Sequence, residues 1–478
     1  MNSRNSWIAL VVLVITAIFL PLYFYPKNDG SRIDDPWAHV PKRLPHTDHS
    51  ALMTEAFADG SEVTRKWYEC HAEAAEQVMA TSHWTWESDD VMLPGRSAPV
   101  KLGKKTAINN FCIGIQSNWP GCTSCHAGYG WADASFDFSD KDKVDCLVCH
   151  DRSGMYVKGN AGYPAPDADL LAAAKSVGEP TRENCGGCHF KGGGGDAVKH
   201  GDLDGSLYYP SDRIDVHMGK HNFSCTDCHQ SNKHQIKGRS ISVSHNDQNQ
   251  IYCTDCHDAQ LHSDQRLNRH TARIACQTCH IPAVALKQST KVHWDWSQAG
   301  HDFPEDEHEY LKIKGRFVYK RNLSPDYFWF NGLADNYIIG DKIRENGITL
   351  INEPMGDRND ANARIWPFKV HTAKQPYDRQ YRYLLQPKTY GEGGFWTEFD
   401  WDKSLRLGSL ASGLPYSGEY GFIDTAMFWP LTHMVSPKSE ALQCVDCHSK
   451  GGRVRIQWEA LGYDGDPMLR GTGKTRKI

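Results

Sequence analysis

The longest apolar run of the chain lies near its N-terminus, where Trp7 to Tyr25 form a predominantly apolar stretch of 19 residues. Arg4 precedes this run, and Pro26 and Lys27 follow it. The run is long enough to span a bilayer, and no small-residue cleavage site follows it closely. We therefore expect residues 1–30 to be an uncleaved membrane anchor, with a cleaved signal peptide as the alternative. Either segment would carry the rest of the chain across the cytoplasmic membrane, so we expect a periplasmic protein.

Beyond this run, the pattern of hydrophobic and polar positions predicts only short helices. The segment Asp167 to Lys175 has an Asp as its N-cap, and Gly178 follows its end. Ser436-Pro437 begins a second helix that leads into Cys444, with Pro at the first helical position. The Gly192–Gly195 run is typical of a loop. We expect a fold that is mainly α with extensive loops and little sheet.

Composition indicates a globular, soluble body. The 478 residues carry a formal net charge of -5, an excess too small to indicate a nucleic-acid-binding protein. Hydrophobic residues make up 40% and charged residues 23%, which argues against disorder and against a polytopic membrane protein. The unusual counts are 16 Cys and 24 His, because disulfides alone would not explain the histidines.

Fourteen of the cysteines fall into one repeated motif, Cys-x-x-Cys-His, which is the attachment signature of c-type haem. Composition predicts about 0.03 copies by chance, whereas the chain has seven. Only Cys70 and Cys112 lie outside the motif. The seven copies are Cys122/Cys125/His126, Cys146/Cys149/His150, Cys185/Cys188/His189, Cys225/Cys228/His229, Cys253/Cys256/His257, Cys276/Cys279/His280 and Cys444/Cys447/His448.

The spacing of the motif suits haem attachment. On a helical turn, positions i, i+3 and i+4 share one face, so two sulfurs reach the haem vinyl groups while His ligates the iron. Zinc ribbons and disulfide frameworks also use paired cysteines, but neither requires His after the second Cys every time. The sequence therefore predicts a multihaem cytochrome c, whose thioether-bound cysteines suit the oxidising side of the membrane. Because haem replaces much of a side-chain core, hydrophobic periodicity is a weak guide to the fold.

The haem motifs divide the chain unevenly. Six of them crowd residues 122–280, and we interpret residues 31–280 as the catalytic and electron-transfer region. Residues 281–443 contain no Cys and are rich in Trp and Tyr. This segment is either a separate non-haem domain or an excursion that covers the haem cluster and supplies distal ligands, and we favour the second interpretation. Residues 444–478 hold the last motif and a basic tail.

Cys70-His71 resembles half of a haem motif, with Trp67 where the first Cys would stand. The alternative is a chance Cys-His pair, with Cys70 bonded to Cys112. The following Ala72 to Glu76 segment is helix-forming, as expected behind a haem-bearing turn. We favour an eighth haem c here, held by a single thioether and by His71.

With these residues in view, the chain resembles the octahaem tetrathionate reductase family, which is related to hydroxylamine oxidoreductase and the multihaem nitrite reductases. The similarity spans nearly the whole chain after the N-terminal run, but the family pattern has Cys where Trp67 stands. That departure puts the second thioether of the first haem in doubt. The stretches that carry the resemblance are His46-Thr47-Asp48-His49, Cys70 to Trp86, Asn109 to Trp131, Cys185 to Asp204, Arg266 to Pro282, Ile365 to Asp378 and Pro430 to His448.

The axial ligands of each iron distinguish electron-transfer haems from a catalytic haem. An iron with two histidine ligands is saturated, whereas a catalytic iron needs a displaceable position. The predicted proximal ligands are His71, His126, His150, His189, His229, His257, His280 and His448. The distal candidates are His217, His234, His262, His270, His371 and His433, with His49 or His83 for one more. Each candidate is alternatively a structural or surface histidine.

The resemblance implies that the haem at Cys122/Cys125/His126 is the active site, with Lys199 opposite its histidine. Lys can ligate only as a neutral amine, and its alternative is a solvated surface charge. The resemblance also places Cys112 beside this haem, where a thiolate attacks sulfur–sulfur bonds, although a buried structural Cys is the alternative. It makes Asp196 a proton donor or an orienting group for Lys199. Lys191, Lys199 and His200 would form a basic pocket for an anion such as tetrathionate or nitrite.

Two function classes follow. The first is a reductase that takes electrons from a quinol-linked or periplasmic donor and reduces tetrathionate, and also nitrite and hydroxylamine. The second is an electron conduit that binds no substrate and therefore needs neither Lys199 nor Asp196 nor Cys112. A hydroxylamine-oxidising enzyme is a third option, and it would require a tyrosine cross-link. No Cys-x-x-Cys-Lys motif of dedicated ammonia-forming nitrite reductases is present.

Overall fold

The computed structural model describes residues 35–43, 45–110, 114–242 and 249–470. They belong to two compact units. The smaller one includes Tyr252–Ala272 with the described residues 35–39, and the larger one includes Val40–Ile251 and Arg273–Ile478. Within the described ranges, no helix has both the length and the apolar character needed to cross a membrane. The run Trp7 to Tyr25 lies outside those ranges, so its role as an anchor stays a prediction.

The α-helices of the described chain are short, and side chains cap several of them. Asp59 caps the first helix through the backbone N–H of Glu62. Thr181 and Asn184 form a reciprocal capping box at the start of another. The helices are α1 Gly60–Tyr68, α2 Ala74–Met79, α3 Ser82–Thr85, α4 Trp119–Cys122, α5 Leu147–His150, α6 Leu170–Lys175, α7 Arg182–His189, α8 Cys225–Cys228, α9 Gln265–His270 (in the smaller unit), α10 Cys276–His280, α11 Phe395–Glu398, α12 Trp401–Ser412, α13 Cys444–Cys447 and α14 Pro467–Arg470.

The helices expected from sequence form only in part. The predicted helix before Gly178 begins at Leu170, because Asp169 caps it through the N–H of Ala172. The helix predicted to run from Ser436-Pro437 into Cys444 does not form. Pro437 has an extended backbone (φ -52°, ψ 146°) and is followed only by the 3-10 turn Lys438–Glu440, so α13 is a separate element.

The expectation of little sheet is wrong. A seven-stranded sheet lies in the part of the chain that has no haem motif, and its order is β10-β13-β12-β5-β7-β6, with β8 also paired to β12. The strands of the structure are β1 Glu87–Val91, β2 Val100–Gly103, β3 Ser231–Asn232, β4 Gln235–Ile236, β5 Thr290–Asp295, β6 Tyr310–Leu311, β7 Gly315–Lys320, β8 Asp326–Phe330, β9 Ala334–Asn336, β10 Thr349–Leu350, β11 Asn352–Pro354, β12 Arg364–Asp378 and β13 Tyr420–Pro430.

The long strands β12 and β13 form the centre of this sheet. They pair antiparallel from Phe368 opposite Pro430 to Asp378 opposite Tyr420, and β12 also runs parallel to β5. The largest apolar cluster packs against them and includes Trp294, Trp366 and Trp429. Because this segment has no motif for attaching haem, it needs an aromatic core of its own, which explains why expecting haem to replace the core failed here.

Candidate haem sites and active site

Six of the seven Cys-x-x-Cys-His motifs lie on helical turns that include both cysteines or begin directly after the first, as their spacing predicts. A turn brings positions i, i+3 and i+4 to one side, which is the arrangement that two thioethers and a histidine ligand require. All six belong to the larger unit. These turns are α4 with Thr123–Cys125, α5, α7, α8, α10 and α13.

The seventh motif, in the smaller unit, departs from this prediction at Cys256. The 3-10 turn Cys253–Asp255 ends one residue earlier, and Cys256 has φ -124° and ψ -31°, outside the helical range. The placement of Cys256 on the same helical turn as Cys253 is therefore wrong. The N–H groups of Cys256 and His257 still donate to the carbonyl oxygen of Cys253, at 3.2 and 2.9 Å, so the backbone stays folded back on the first cysteine. Thioether attachment through Cys256 stays a prediction.

Four of the predicted proximal histidines face a second histidine across a short gap. Two imidazoles that ligate one metal ion from opposite sides, each at about 2 Å, have ring centres roughly 6 Å apart. The observed pairs have this spacing, so the residues present fit an iron held between two histidines. The pairs are His49 and His71 at 5.8 Å, His83 and His189 at 6.1 Å, His150 and His234 at 6.4 Å, and His229 and His433 at 6.2 Å.

Hydrogen bonds orient several of these rings through Nδ1. In His150, Nδ1 donates to the carbonyl oxygen of Gly178 at 2.9 Å, and in His229 it donates to that of Lys237 at 2.8 Å. Nδ1 of His234 lies 3.0 Å from Oε1 of Gln77. Histidines that bind metals are commonly held in this way through their other nitrogen. The bonded Nδ1 atoms therefore make Nε2 the nitrogen available to a haem iron.

His433 is held by a buried carboxylate. Asp202, which is 1% exposed, accepts hydrogen bonds from the backbone N–H groups of Thr432 and His433, and its Oδ2 lies 3.4 Å from Nδ1 of His433. Despite burial, the His433 ring and the Thr432 N–H lower the pKa of Asp202 to about 2. The ion pair also raises the pKa of His433. This carboxylate fixes both the backbone and the ring of the predicted ligand.

The structure supports both of the alternative distal candidates, His49 and His83. Sequence offered His49 or His83 for one position, and the structure pairs both with predicted proximal histidines. His371 is fully buried on β12, where Asn110 Oδ1 lies 3.0 Å from its Nδ1. His262 and His270 belong to the smaller unit. The distal roles of His217, His262, His270 and His371 stay predictions.

His126 has different surroundings from the paired histidines. Its fully buried ring is enclosed by aromatic rings at centroid distances of 4.8 to 6.1 Å, and none of those within the described chain is a histidine. Its Nε2 donates to the carbonyl oxygen of Trp84 at 2.7 Å, and its buried Nδ1 has no hydrogen-bond partner among the residues that the structure describes. Burial, followed by the charges of Lys158, Lys104 and Lys105, lowers the pKa of His126 to about 3. The ring is therefore neutral at physiological pH, as an iron ligand must be, and iron ligation through Nε2 would replace the bond to Trp84.

Lys199 is partly buried, with its Nζ 4.7 Å from the centroid of the Trp429 ring. Burial and the charge of Lys104 lower the pKa of Lys199 to about 7, while Cys125 opposes the shift. A large fraction of this amine is therefore neutral near pH 7, which is the form that can ligate a metal. Its electrostatic coupling to Cys125 places it near the motif that the resemblance assigns to the active site.

The predicted active site also includes Asp196 and Cys112. Asp196 accepts a hydrogen bond from the backbone N–H of Gly205 at 2.9 Å, which closes the loop that contains Lys199. Cys112 lies outside the described residues. The catalytic roles of both stay predictions. Cys70 is exposed, and the Trp67 ring lies 6.3 Å from the His71 ring.

The sequence alone does not indicate two of the basic residues around His126, Lys104 and Lys105. Lys104 Nζ lies 3.9 Å from the Trp86 ring centroid, and Lys105 Nζ lies 3.8 Å from that of Phe138. Both rings belong to the set that encloses His126. The predicted pocket residue Lys191 is exposed. No local motif marks Lys104 or Lys105, because only the fold brings them to this site.

A buried ionic network holds the backbone of His126. Lys158 and Asp145 form an ion pair at 2.8 Å, with side chains 6% and 0% exposed. The Lys158 ammonium also donates to the carbonyl oxygens of His126 at 2.6 Å and Gly128 at 3.0 Å. Tyr129 and Tyr156 donate their hydroxyls to the two oxygens of Asp145. A buried ion pair with its remaining oxygens satisfied gives this segment a fixed geometry.

Comparisons with known proteins point to cytochromes c. The family model described as "Cytochrome c bacterial" matches residues 291–451. The solved structure of octaheme cytochrome c from Shewanella oneidensis is 50% identical, with a TM-score of 0.84 over 90% of this chain and all of that chain. An uncharacterized protein of Archaeoglobus fulgidus is 24% identical over 249 residues, which are 41% of this chain and 82% of that protein.

The motif turns, the paired histidines and these similarities define a multihaem c-type cytochrome, a protein that binds haem c covalently and transfers electrons. Within that class, the chain belongs to the octahaem cytochromes c.

Proposed function

We propose that this cytochrome is a periplasmic reductase with eight haems c, seven of them ligated by two histidines and one ligated by His126 and Lys199. The observation that carries the proposal is the contrast between His126 and the paired histidines. His126 has no histidine ring among its described neighbours, whereas an amine with a pKa of about 7 lies near Cys125 of the same motif. A lysine is a more readily displaced ligand than a second histidine, so this site would admit a substrate.

The charges near this site favour an anionic substrate. Lys104 and Lys105 lie against aromatic rings of the His126 enclosure, and each lowers the pKa of that histidine through its charge. Lys158 also lowers this pKa, but Asp145 compensates the charge of Lys158, and Glu87 lies 3.3 Å from Lys105 Nζ. Cations in a partly dehydrated site attract anions more strongly than exposed cations do. We therefore propose the anion tetrathionate as the substrate and the anion nitrite as a further one. Hydroxylamine, which is uncharged, is proposed from the resemblance alone.

Reduction of tetrathionate would use Cys112. Its thiolate attacks the central sulfur–sulfur bond, one thiosulfate leaves, and the other half remains bound to the cysteine sulfur. Release of the second thiosulfate and recovery of the thiolate would take two electrons, which a haem held by His126 would pass on one at a time from the other haems. Nitrite and hydroxylamine have no such bond, so their reduction would need the iron site and protons but not this thiol.

Steady-state assays with a reduced viologen dye test the proposal. We expect Lys199→Ala to alter turnover of all three substrates and to produce one high-spin signal while the bis-histidine signals stay constant. Lys175→Ala is the control, because Lys175 is an exposed lysine outside the predicted pocket. Cys112→Ala should lose most tetrathionate turnover and keep nitrite and hydroxylamine turnover. An unchanged Lys199→Ala spectrum would contradict the ligand assignment.

An electron conduit is the alternative function, and the histidine pairs favour it because they require no substrate. The same assays separate the two functions. Inactivity of the unmutated protein on tetrathionate, nitrite and hydroxylamine would favour the conduit.

A further inference from the structure

Lys369 is a fully buried lysine on β12, where it pairs in register with Trp429 of β13. Its Nζ lies 2.9 Å from the carbonyl oxygen of Val198, 3.0 Å from that of Lys199 and 2.6 Å from Oγ1 of Thr290. Fully buried lysines are rare, because an unpaired charge in the protein interior is costly. The side chain therefore needs an explanation beyond packing.

The donor and acceptor atoms present determine the direction of each of these hydrogen bonds. Thr290 Oγ1 lies 2.7 Å from the carbonyl oxygen of Ala197 and 3.2 Å from that of His200, and its only proton goes to these two acceptors. The hydroxyl must then accept from Lys369, and the two carbonyl oxygens can only accept. Three acceptors thus face the amine of Lys369, whose pKa burial lowers to about 7. Lys369 and Thr290 together bind the backbone of Ala197, Val198 and Lys199 to the central sheet.

The backbone around Lys199 is also fixed by close packing. A Cβ added at Gly201 would lie 2.9 Å from Val284 Cγ2 and 3.3 Å from Lys369 Cδ, so the segment lies directly against the lysine side chain. Ala197 has φ +58°, a conformation that alanine keeps only when its surroundings impose it. The bond from Thr290 to its carbonyl oxygen is one such constraint.

We propose that Lys369 is a positioning residue for Lys199, acting with Thr290 to hold the Lys199 backbone so that its amine returns to one place after substrate leaves. The inference rests on the proposed function, in which Lys199 is the displaceable ligand. Lys369 would not touch substrate. Its effect on turnover follows from geometry, because a displacement of about 1 Å at a reacting group costs on the order of 10²-fold in rate.

The test uses the full haem-loaded protein and two pairs of variants. Thr290→Val removes the hydroxyl, whereas Thr290→Ser keeps it. Lys369→Met removes the donors, and Lys291→Met is its control, because Lys291 is a buried lysine of β5 whose Nζ lies against the rings of Trp294 and Phe317. The readouts are the high-spin fraction of the oxidised protein, hydrogen exchange of residues 196–201, and kcat.

We expect Thr290→Val and Lys369→Met to increase the high-spin fraction, to accelerate exchange of residues 196–201 and to lower kcat by about 10²-fold. Thr290→Ser and Lys291→Met should resemble the unmutated protein, and the bis-histidine signals should stay constant in all four. If the Lys369→Met protein fails to incorporate haem, the comparison of Thr290→Val with Thr290→Ser tests the positioning role instead. Wild-type behaviour of Thr290→Val beside an altered Lys199→Ala protein would overturn the positioning role alone. A Lys199→Ala protein with an unchanged spectrum would overturn the proposed function itself.

Discussion

Residues 40–251 and the sheet of residues 290–430 bury their apolar side chains in different ways. The sheet packs one continuous cluster with many large aromatic residues, among them Trp294, Phe368 and Trp429. The haem-motif region divides its buried apolar residues among smaller clusters, such as those around Trp131, Leu147 and Leu207. Covalent haem can supply apolar area where the motifs lie, but not where they are absent. The first region should therefore depend on its cofactors, and the second on its side chains.

The largest expected effect follows from withholding haem from the full chain. In protein produced without haem attachment, amides of the motif helices such as α7 should exchange almost as fast as an unfolded chain. Amides of β12 and β13 should keep substantial protection, because their core is made of side chains. Hydrogen exchange with mass spectrometry measures both in one sample. Equal loss of protection in the two regions would show that the sheet depends on haem as much as the motif helices do.

The next effect is a cavity in the sheet core. Phe368→Ala removes a fully buried ring from β12 and should lower the free energy of unfolding by about 3–5 kcal/mol. Leu410→Ala on α12 is the control, since Leu410 is 80% exposed and its loss should change stability by less than about 0.5 kcal/mol. Denaturant unfolding of the haem-loaded protein compares them. Similar values for both variants would mean that haem, not the aromatic core, limits stability here.

A smaller effect is expected in the haem-motif region, where a buried hydrogen-bond network fixes the backbone of the His126 segment. Tyr156→Phe removes one donor from buried Asp145 and should cost about 1.5–3 kcal/mol. Tyr209→Phe is matched to it, because Tyr209 also donates to a carboxylate, that of Glu183, but is 81% exposed. That control should stay within about 0.5 kcal/mol of the unmutated protein. Equal losses of unfolding free energy in the two variants would show that the buried hydrogen bond contributes no more than the exposed one.

The smallest effect concerns the first haem. Trp67→Cys restores a complete motif with Cys70 and His71, so the intact mass should still show eight covalent haems. The second thioether should make that haem harder to remove by chemical cleavage. Seven haems in the unmutated protein, rising to eight in the variant, would mean that Cys70 alone holds none covalently.

Local patterns predicted six of the haem-bearing turns, because Cys-x-x-Cys-His fixes within five residues which side chains share a face. Cys256 is the exception, since its turn ends at Asp255. The pairing of His83 with His189 joins distant parts of the chain, so spacing could supply candidates but not partners.

The sheet was missed for a physical reason. Ile365 to Lys369 of β12 are buried in succession, so the alternation of a half-exposed strand is absent, and a buried lysine interrupts the apolar run. The basic residues of the site were missed for another, because Lys104, Lys105 and Lys158 join His126 only through the fold.

The central claim is that one haem site differs from all the others in its second ligand. Near-infrared magnetic circular dichroism of the oxidised, unmutated protein tests it most directly, because the charge-transfer band of low-spin haem distinguishes histidine–histidine from histidine–lysine ligation. The account predicts seven haems of the first kind and one of the second. Eight haems with two histidines each would contradict it.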